Sequence, residues 1–194
     1  MLAAEPSIDR IFNSGRTYYG WQQKPVPVSR LQEIWTLARL GPTSANCQPA
    51  RLVFVMSAEA KARLKPFLIP GNVDQTMAAP VTAIIGYDLA FYDRLPELFP
   101  HTDARSWFVG NEQLIETTAM RNGTLQGAYF ILAARALGLD CGPMSGFDNA
   151  GVDGEFFAGT RVRSNFLCNV GYGDPASLHP RGPRLDFDEA CTVL

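Results

Sequence analysis

The chain has 194 residues with 46% hydrophobic and 19% charged side chains, and its formal net charge is −2. This composition is typical of a globular protein with a single core and excludes a disordered chain. No basic run is present that could follow a nucleic-acid backbone, and the longest apolar stretches are too short to span a bilayer.

The first predicted elements are a helix and a buried strand. Ser29 can cap the helix, with Gln32 three residues later, and an apolar stripe follows. Gly41-Pro42 then ends the helix. Residues 52–56 form a short, continuous apolar run rich in β-branched side chains, which predicts a buried strand.

A second helix and a second strand follow. Residues 58–64 predict a helix capped by Ser57, and Pro70-Gly71 breaks the chain after it. Residues 80–88 form another continuous apolar run and predict another buried strand. The segment after this strand is unusually rich in aromatic residues.

The second half of the chain begins with a long helical pattern over residues 111–137, which ends at Gly138. Because it is apolar on most sides after residue 125, it predicts a central buried helix. A third strand is predicted at 164–174 and a short fourth near 140–144. Loosely alternating helices and strands suit an α/β or α+β layered fold, and we predict one domain over residues 1–194. No GxGxxG or GxxxxGK[ST] motif follows a strand, which excludes a Rossmann domain and a P-loop.

The four cysteines, at positions 47, 141, 168 and 191, form no CxxC pair, and there are only two histidines. We therefore predict no metal site. Cys168 and Cys191 are expected in the core of a protein from a reducing compartment, and Cys47 is expected to have no redox role. The first thirty residues lack an apolar signal region, so we expect a cytoplasmic protein.

One polar turn, in the stretch GPTSANCQPARLVFV (41–55), lies directly before a buried strand. Its Thr43, Ser44 and Asn46 carry the hydroxyl and amide groups that a ligand rich in oxygen atoms would need. The alternative is a turn whose polar side chains bond their own backbone, and composition alone favours it.

Three further stretches have both a binding interpretation and a structural one. In GRTYYGW (15–21), Arg16 and Thr17 could hold a phosphate, or Arg16 could be a surface arginine. The small residues of GPMSGFD (142–148) could let the backbone approach a flat ring, or they could form a tight turn. In HPRGPR (179–184), Arg181 and Arg184 add two cations, or belong to a solvated basic tail.

The order of these four stretches resembles the nitroreductase family of FMN flavoproteins. That family opens with an Arg–Ser/Thr pair, has P-[ST]-[SA]-x-N-x-Q-P running into a strand, and closes with a GY-G strand followed by a basic tail. Within it, four stretches are similar to the RutE-like branch, typified by a malonic semialdehyde reductase: GPTSANC, FPHTDARSWF (99–108), RALGLDCGPMSGFD (135–148) and GYGD (171–174).

The resemblance implies an α+β fold, namely a three-layer α/β/α sandwich with a central mixed sheet, and a homodimer formed through the long helix and the tail. It implies bound FMN that takes hydride from NADPH or NADH and reduces a small electrophilic acceptor in a ping-pong cycle, with no catalytic side chain. Malonic semialdehyde, reduced to 3-hydroxypropionate, is the implied acceptor, and Arg105 or Arg121 could bind its carboxylate. The alternatives are a nitroaromatic or quinone reductase and a flavin-binding protein without turnover.

The resemblance also assigns residues to the site. Arg16 and Thr17 meet the FMN phosphate and ribityl chain, the 42–46 turn reaches the flavin across the dimer interface, and Asn72 meets the pyrimidine edge of the ring. The segment 143–146 faces flavin N5. The full implied cofactor-binding set is Arg16, Thr17, Pro42, Thr43, Ser44, Asn46, Asn72, Pro143, Met144, Ser145, Gly146, Arg181 and Arg184. Trp107 and Phe108 are candidates for the wall of the acceptor pocket, or are core aromatics.

Two residues depart from the family pattern. Tyr19 stands where a Lys or Arg commonly neutralises negative charge at flavin N1 and O2, so another group must do this or the flavin potential is lower. Ser145 stands where well-known nitroreductases often have Glu. The charge of the active site therefore differs from theirs.

Overall fold

The computed structural model describes residues 8–194. Residues 1–7, which belong to the predicted domain and to the first thirty residues that lack an apolar signal region, lie outside the described part. The helices are α1 Val28–Ala38, α2 Ala58–Leu64, α3 Pro70–Ala78, α4 Leu95–Leu98, α5 Glu112–Ala136, α6 Asn149–Phe156 and α7 Phe187–Ala190. The strands are β1 Ala50–Val55, β2 Val81–Asp88, β3 Asp140–Met144 and β4 Val162–Gly171. A π-helix precedes them at Asp9–Asn13. None of the helices within 8–194 has the length and apolar character needed to cross a membrane.

The four strands form one sheet in the order β1-β2-β4-β3. All three ladders between these strands are antiparallel. The expected mixed sheet is therefore corrected: parallel pairing among the described residues is confined to a single bridge between Thr17 and Cys141. The α+β class itself is confirmed.

Helices cover both faces of the sheet. Alternate residues of a strand point to opposite faces, and in β2 Ala83 and Ile85 pack under α1 and α5, whereas Ile84 packs with Leu64 of α2 and Val152 of α6. The two clusters are separate because the sheet lies between them. This is the three-layer α/β/α arrangement that the resemblance implied.

The long helix α5 lies close to the sheet. Asn111 caps it by accepting a hydrogen bond from Leu114 N at 3.1 Å, and Gly138, with φ at +88°, follows its end. A Cβ at Gly127 would lie 2.6 Å from the Phe166 ring, so glycine is what permits the close approach. The predicted burial holds for the inner face only, because the side chains of the outer face, Met120 and Leu125 among them, are exposed.

Three expectations from the sequence were wrong. Ser29 lies inside α1, whose N-cap is Pro27 without a side-chain hydrogen bond. Pro70 starts α3 instead of breaking the chain, because the first helical turn needs no N–H from that residue. Cys191 is exposed after α7, whereas Cys47, Cys141 and Cys168 are buried.

Candidate functional site

Three of the segments assigned to the site meet at the β3 side of the sheet. The 15–21 segment runs beside β3, where Thr17 bridges Cys141 and Tyr18 N donates to Cys141 O at 3.1 Å. On α3, Asn72 Nδ2 donates to Gly146 O at 2.9 Å. Trp21 Nε1 donates to Gln75 O at 3.1 Å and links α3 to the 15–21 segment. Residues 16–17, 72 and 143–146 thus form one group.

A cleft of about 400 Å³ opens beside this group, and we call it the basic cleft. It brings the 15–19 segment together with the 179–184 tail. Its lining residues are Phe12, Gly15, Arg16, Thr17, Tyr19, Arg135, His179, Pro180, Arg181, Gly182 and Arg184. Among these lining residues, all within the described part of the chain, there is no Asp or Glu, so the cleft suits a ligand with negative charge.

The guanidinium groups of the basic cleft bond to backbone carbonyls. Arg16 Nη2 donates to His179 O, and Arg181 Nη2 donates to Asn13 O at 2.6 Å and Gly15 O at 3.1 Å. Arg184 Nη1 donates only to carbonyls of its immediate neighbours. None of these arginines is among the ion pairs within residues 8–194, so their charges have no carboxylate to compensate them.

Arg135, in the last turn of α5, is a cleft residue that sequence reasoning missed. Its Nη1 donates to Ile11 O at 3.0 Å and its Nη2 to Arg16 O at 3.3 Å, which supports the backbone on which Arg16 is carried. Its Nε is buried and has no hydrogen-bond partner among the described residues. A cluster of uncompensated guanidinium groups fits a phosphate group. Arg135 begins the 135–148 stretch of the sequence, but its position there does not by itself assign it a role.

The proposed ring-facing residues occupy a tight corner between α3 and the end of β3. Asn72 Oδ1 accepts from Gln75 Nε2 at 2.7 Å, which orients the amide. A Cβ at Gly146 would lie 2.3 Å from Ile69 Cδ1 and 2.7 Å from Asn72 Nδ2, so any larger residue there would have to displace these two side chains. Pro143 and Met144 are half-buried and Ser145 is exposed.

Residues 42–48, called the 42–48 loop, have an unusual backbone. Ala45 and Asn46 have φ of 49° and Gln48 has φ of 39°, in the left-handed region that non-glycine residues rarely adopt. Gln48 N donates to Thr43 Oγ1 at 3.3 Å, and Gln48 Nε2 donates to Asn46 Oδ1 at 2.8 Å. The alternative of a self-bonded polar turn therefore describes Thr43, whose hydroxyl accepts from the backbone of its own turn. Pro42, Ser44 and Asn46 are exposed.

The 42–48 loop is far from the other assigned residues of the same chain. It leads into β1, at one edge of the sheet, whereas residues 16–17 and 143–146 adjoin β3, at the other edge. Three inter-strand spacings separate these edges by about 14 Å. One chain therefore does not bring the loop and the basic cleft together, which is the geometry expected if the loop serves a second subunit.

The left-handed backbone of the loop leads to a prediction about stability. Ala45→Gly should raise the free energy of unfolding by about 0.5 kcal/mol, because relief of the left-handed strain exceeds the loss of one half-buried methyl group. The control is Ala60→Gly in α2, also half-buried, which should lower it by about 1 kcal/mol. Urea unfolding measures both, and a destabilising Ala45→Gly would contradict the strain argument.

The aromatic segment between β2 and α5 packs beside the 42–48 loop, and Asn46 Nδ2 donates to Leu98 O at 2.8 Å. Phe108 is buried against Phe91 with ring centroids 4.9 Å apart, which favours the core-aromatic alternative for Phe108. Trp107 is 50% exposed and is still a candidate pocket wall. Arg105 pairs with Asp93 at 3.0 Å, and Arg121 is exposed on α5.

A buried lysine, also missed from the sequence, lies under α3. Lys61 of α2 is 4% exposed, and its Nζ donates to Thr76 O at 2.6 Å and to Thr82 Oγ1 at 2.5 Å. Thr76 Oγ1 in turn contacts Met144 Sδ at 3.4 Å. Burial lowers the pKa of Lys61 to about 8. The sequence carries no signal for it, because a lysine in a short helix is usually exposed.

Other titratable groups give no sign of thiol or metal chemistry. Burial raises the pKa of the Cys47 thiol to about 11, so the thiol stays protonated near neutral pH. Within residues 8–194, no group of three or more His, Cys, Asp or Glu is placed to hold a metal ion.

Comparisons with a family model, with related sequences and with solved structures all match nitroreductases. The model of the family described as "Nitroreductase family" matches residues 15–172. A relative from Burkholderia lata, provisionally named NADH dehydrogenase/NAD(P)H nitroreductase, is 63% identical over 190 residues, covering 98% of this chain and 97% of the relative. The similarly named HadB of Ralstonia pickettii is 58% identical over 195 residues, covering 99% and 100%. A nitroreductase-like protein from Exiguobacterium sibiricum, solved in complex with FMN, has a TM-score of 0.88 at 20% identity, covering 100% of both chains.

Proposed function

The chain belongs to the nitroreductase family, and from that premise we propose that it is an FMN-dependent oxidoreductase that transfers hydride from NAD(P)H to a small electrophilic acceptor. Residues 1–194 would form one FMN-binding domain. The observation that carries the proposal is the basic cleft, where residues far apart in sequence bring uncompensated guanidinium groups together. A cytoplasmic location, where NAD(P)H is available, remains a prediction.

The phosphate of FMN is proposed to lie in the basic cleft. Arg16, Arg181 and Arg184 would bond to its oxygen atoms, and the Thr17 hydroxyl, which has no partner among the described residues, would add a neutral donor. Arg135 would hold the backbone of Arg16 in place. Several charge-assisted hydrogen bonds stabilise a buried dianion that would otherwise be costly to desolvate.

The ring of FMN is proposed to lie against the corner formed by Asn72 and the segment 143–146, with Asn72 at its pyrimidine edge and the segment facing N5. When bound, FMN supplies the redox chemistry, accepting hydride from NAD(P)H and giving it to the acceptor. The chain's part is to fix the pose of the ring and to leave one face open. Ser145 is exposed there and carries no charge or strong acid, so we name no catalytic side chain.

We propose malonic semialdehyde as the acceptor. The proposal is supported by the motifs shared with the RutE-like branch and by Ser145, because a hydroxyl repels an anionic aldehyde acid less than a carboxylate does. Arg105 is already paired with Asp93, which leaves Arg121 as the candidate carboxylate partner of the two. General reduction of nitroaromatics or quinones is the alternative.

The acceptor experiment separates these alternatives. Purified protein loaded with FMN is mixed with NADPH or NADH without oxygen, and loss of the flavin absorbance is expected. Malonic semialdehyde and a nitrofuran are then added separately, and the rate at which the absorbance returns is compared. No return above background with the aldehyde would remove malonic semialdehyde. A yellow colour that persists with NADPH and NADH would favour a binding protein without turnover.

We also propose that the chain is a homodimer, formed through the outer face of α5 and the tail. Two observations support this: the exposed apolar side chains Met120 and Leu125 on α5, and the separation of the 42–48 loop from the basic cleft. Sedimentation should show a dimer, and dilution that separates the subunits should release FMN. A monomer that retains FMN would contradict the shared site.

A further inference from the structure

The inner face of α5 holds the 42–48 loop at two points and the start of β1 at a third. Asn122 Oδ1 accepts from Ser44 N at 2.8 Å, Gln126 Oε1 accepts from Ala50 N at 2.8 Å, and Tyr129 OH donates to Pro42 O at 3.0 Å. Asn122, Gln126 and Tyr129 are four and three residues apart and lie on one face of the helix. We call these three residues the α5 ladder.

We infer that the α5 ladder determines the affinity for FMN by holding the 42–48 loop in its binding conformation; this rests on the proposed role of the loop in FMN binding. The three residues are positioning residues, because they bond to the backbone of the loop and of Ala50. Ser44, whose N–H bonds to Asn122, keeps an exposed hydroxyl that has no partner among the described residues.

The loop needs an external support, because its own backbone is unfavourable. Ala45, Asn46 and Gln48 all have positive φ, which is unfavourable for residues other than glycine. The hydrogen bonds within the loop, to the Thr43 and Asn46 side chains, would break if the backbone relaxed to an extended conformation. The α5 ladder fixes the backbone on both sides of this strained turn. Tyr129 also packs on the start of the loop, since a Cβ at Gly41 would lie 2.1 Å from its ring.

Burial argues that the ladder has a specific role rather than filling the core. Asn122 is 2% exposed and Gln126 is 1% exposed, and the Nε2 of Gln126 has no hydrogen-bond partner among the described residues. An apolar side chain at position 126 would avoid this unpaired Nε2 but would leave the buried Ala50 N–H without its acceptor, so the amide serves the backbone bond. The amide of Asn122 is oriented by its own bond from Nδ2 to Thr118 O at 2.8 Å, so that its oxygen faces Ser44.

The experiment measures the dissociation constant for FMN from the quenching of flavin fluorescence. Asn122→Leu, of nearly equal size, removes the acceptor for Ser44 N and should raise the dissociation constant at least tenfold. Asn149→Leu is the control, because Asn149 is an amide at the start of α6 that also bonds to a backbone carbonyl, Ser164 O, and it should change the constant less than twofold. Tyr129→Phe removes only the hydroxyl, tests the ladder if Asn122→Leu does not fold, and should raise the constant at least threefold.

A second readout distinguishes loop geometry from general damage. Ala45→Gly eases the left-handed conformation, so in the Asn122→Leu background it should restore at least threefold of the lost affinity. Amide exchange at Ser44 should become at least tenfold faster in Asn122→Leu without FMN. Parent protein that takes up no FMN overturns the proposed function and this inference together. FMN binding that is unchanged in both Asn122→Leu and Tyr129→Phe, or a loss that Ala45→Gly does not reduce, overturns the inference alone.

Discussion

Replacing Arg16 and Arg184 together with glutamine should weaken FMN binding at least a hundredfold and leave riboflavin binding nearly unchanged. Each charge-assisted hydrogen bond to a phosphate is worth about 1.5–3 kcal/mol, so loss of two corresponds to about a hundredfold or more in the dissociation constant. Riboflavin has the same ring and ribityl chain but no phosphate. The ratio of the two affinities therefore reports on phosphate recognition alone.

A third arginine, outside the basic cleft, provides the control for the double variant. Arg39→Gln removes an exposed arginine at the C-cap of α1, away from the cleft lining, and should change both affinities less than twofold. The FMN affinity of the parent protein should also fall as salt is raised, because ion pairing is screened. Equal losses for FMN and riboflavin in the double variant would show that the cleft had lost its shape, and would contradict a phosphate site.

Relative to Lys61→Met, the parent protein should become more stable by up to about 3 kcal/mol as the pH rises from 7 to 10.5. Burial lowers the pKa of Lys61 from 10.5 to about 8, and a tenfold change in proton affinity between the folded and unfolded chain corresponds to about 1.4 kcal/mol. Below pH 8 the amine is charged in both the folded and unfolded chain, and the cost of burying the charge is fully present. Between pH 8 and 10.5 the unfolded chain binds the proton and the folded chain does not, so stability rises with pH.

Other groups act in the opposite direction, so the difference between parent and variant is the quantity to measure. Burial raises the pKa of Cys47 to about 11, and contact with Cys141 followed by burial raises the pKa of Cys168. Above pH 9 the unfolded chain releases the protons of these thiols whereas the folded chain keeps them. The thiols therefore lower the stability of the folded chain as the pH rises. Urea unfolding of the parent, Lys61→Met and the exposed control Lys65→Met at each pH gives the comparison. If the difference in free energy of unfolding between the parent and Lys61→Met changed with pH no more than that between the parent and Lys65→Met, the argument from burial would be contradicted.

Much of the secondary structure could be predicted from local patterns. The helix at 58–64 has the predicted bounds and its Ser57 cap, which accepts from Ala60 N at 3.1 Å, because cap and apolar spacing lie within a few residues of each other. The helix α3 and the exposure of Cys191 were missed. A proline can start a helix or interrupt a chain segment in a loop, and only the fold shows that Pro70 starts α3.

The sequence likewise predicted only part of the site, namely the residues that lie in the family's motifs. Membership of the nitroreductase family, inferred from four ordered stretches, is confirmed. The roles that the resemblance assigns to individual residues stay predictions. Arg135, Lys61 and the α5 ladder carry no local signal strong enough to assign a role. Their roles depend on partners between 15 and 124 residues away along the chain.

The sequence by itself determined the family, the main helices and strands, and the chemical groups available for a phosphorylated ligand, because these follow from short-range spacing and residue type. Only the tertiary structure decided that the tail returns to Arg16, that the 42–48 loop is strained and held by α5, and that this loop lies across the sheet from the basic cleft. Those facts depend on which distant segments pack together. Burial and hydrogen bonding between such segments are properties of the folded chain, and no local pattern specifies them.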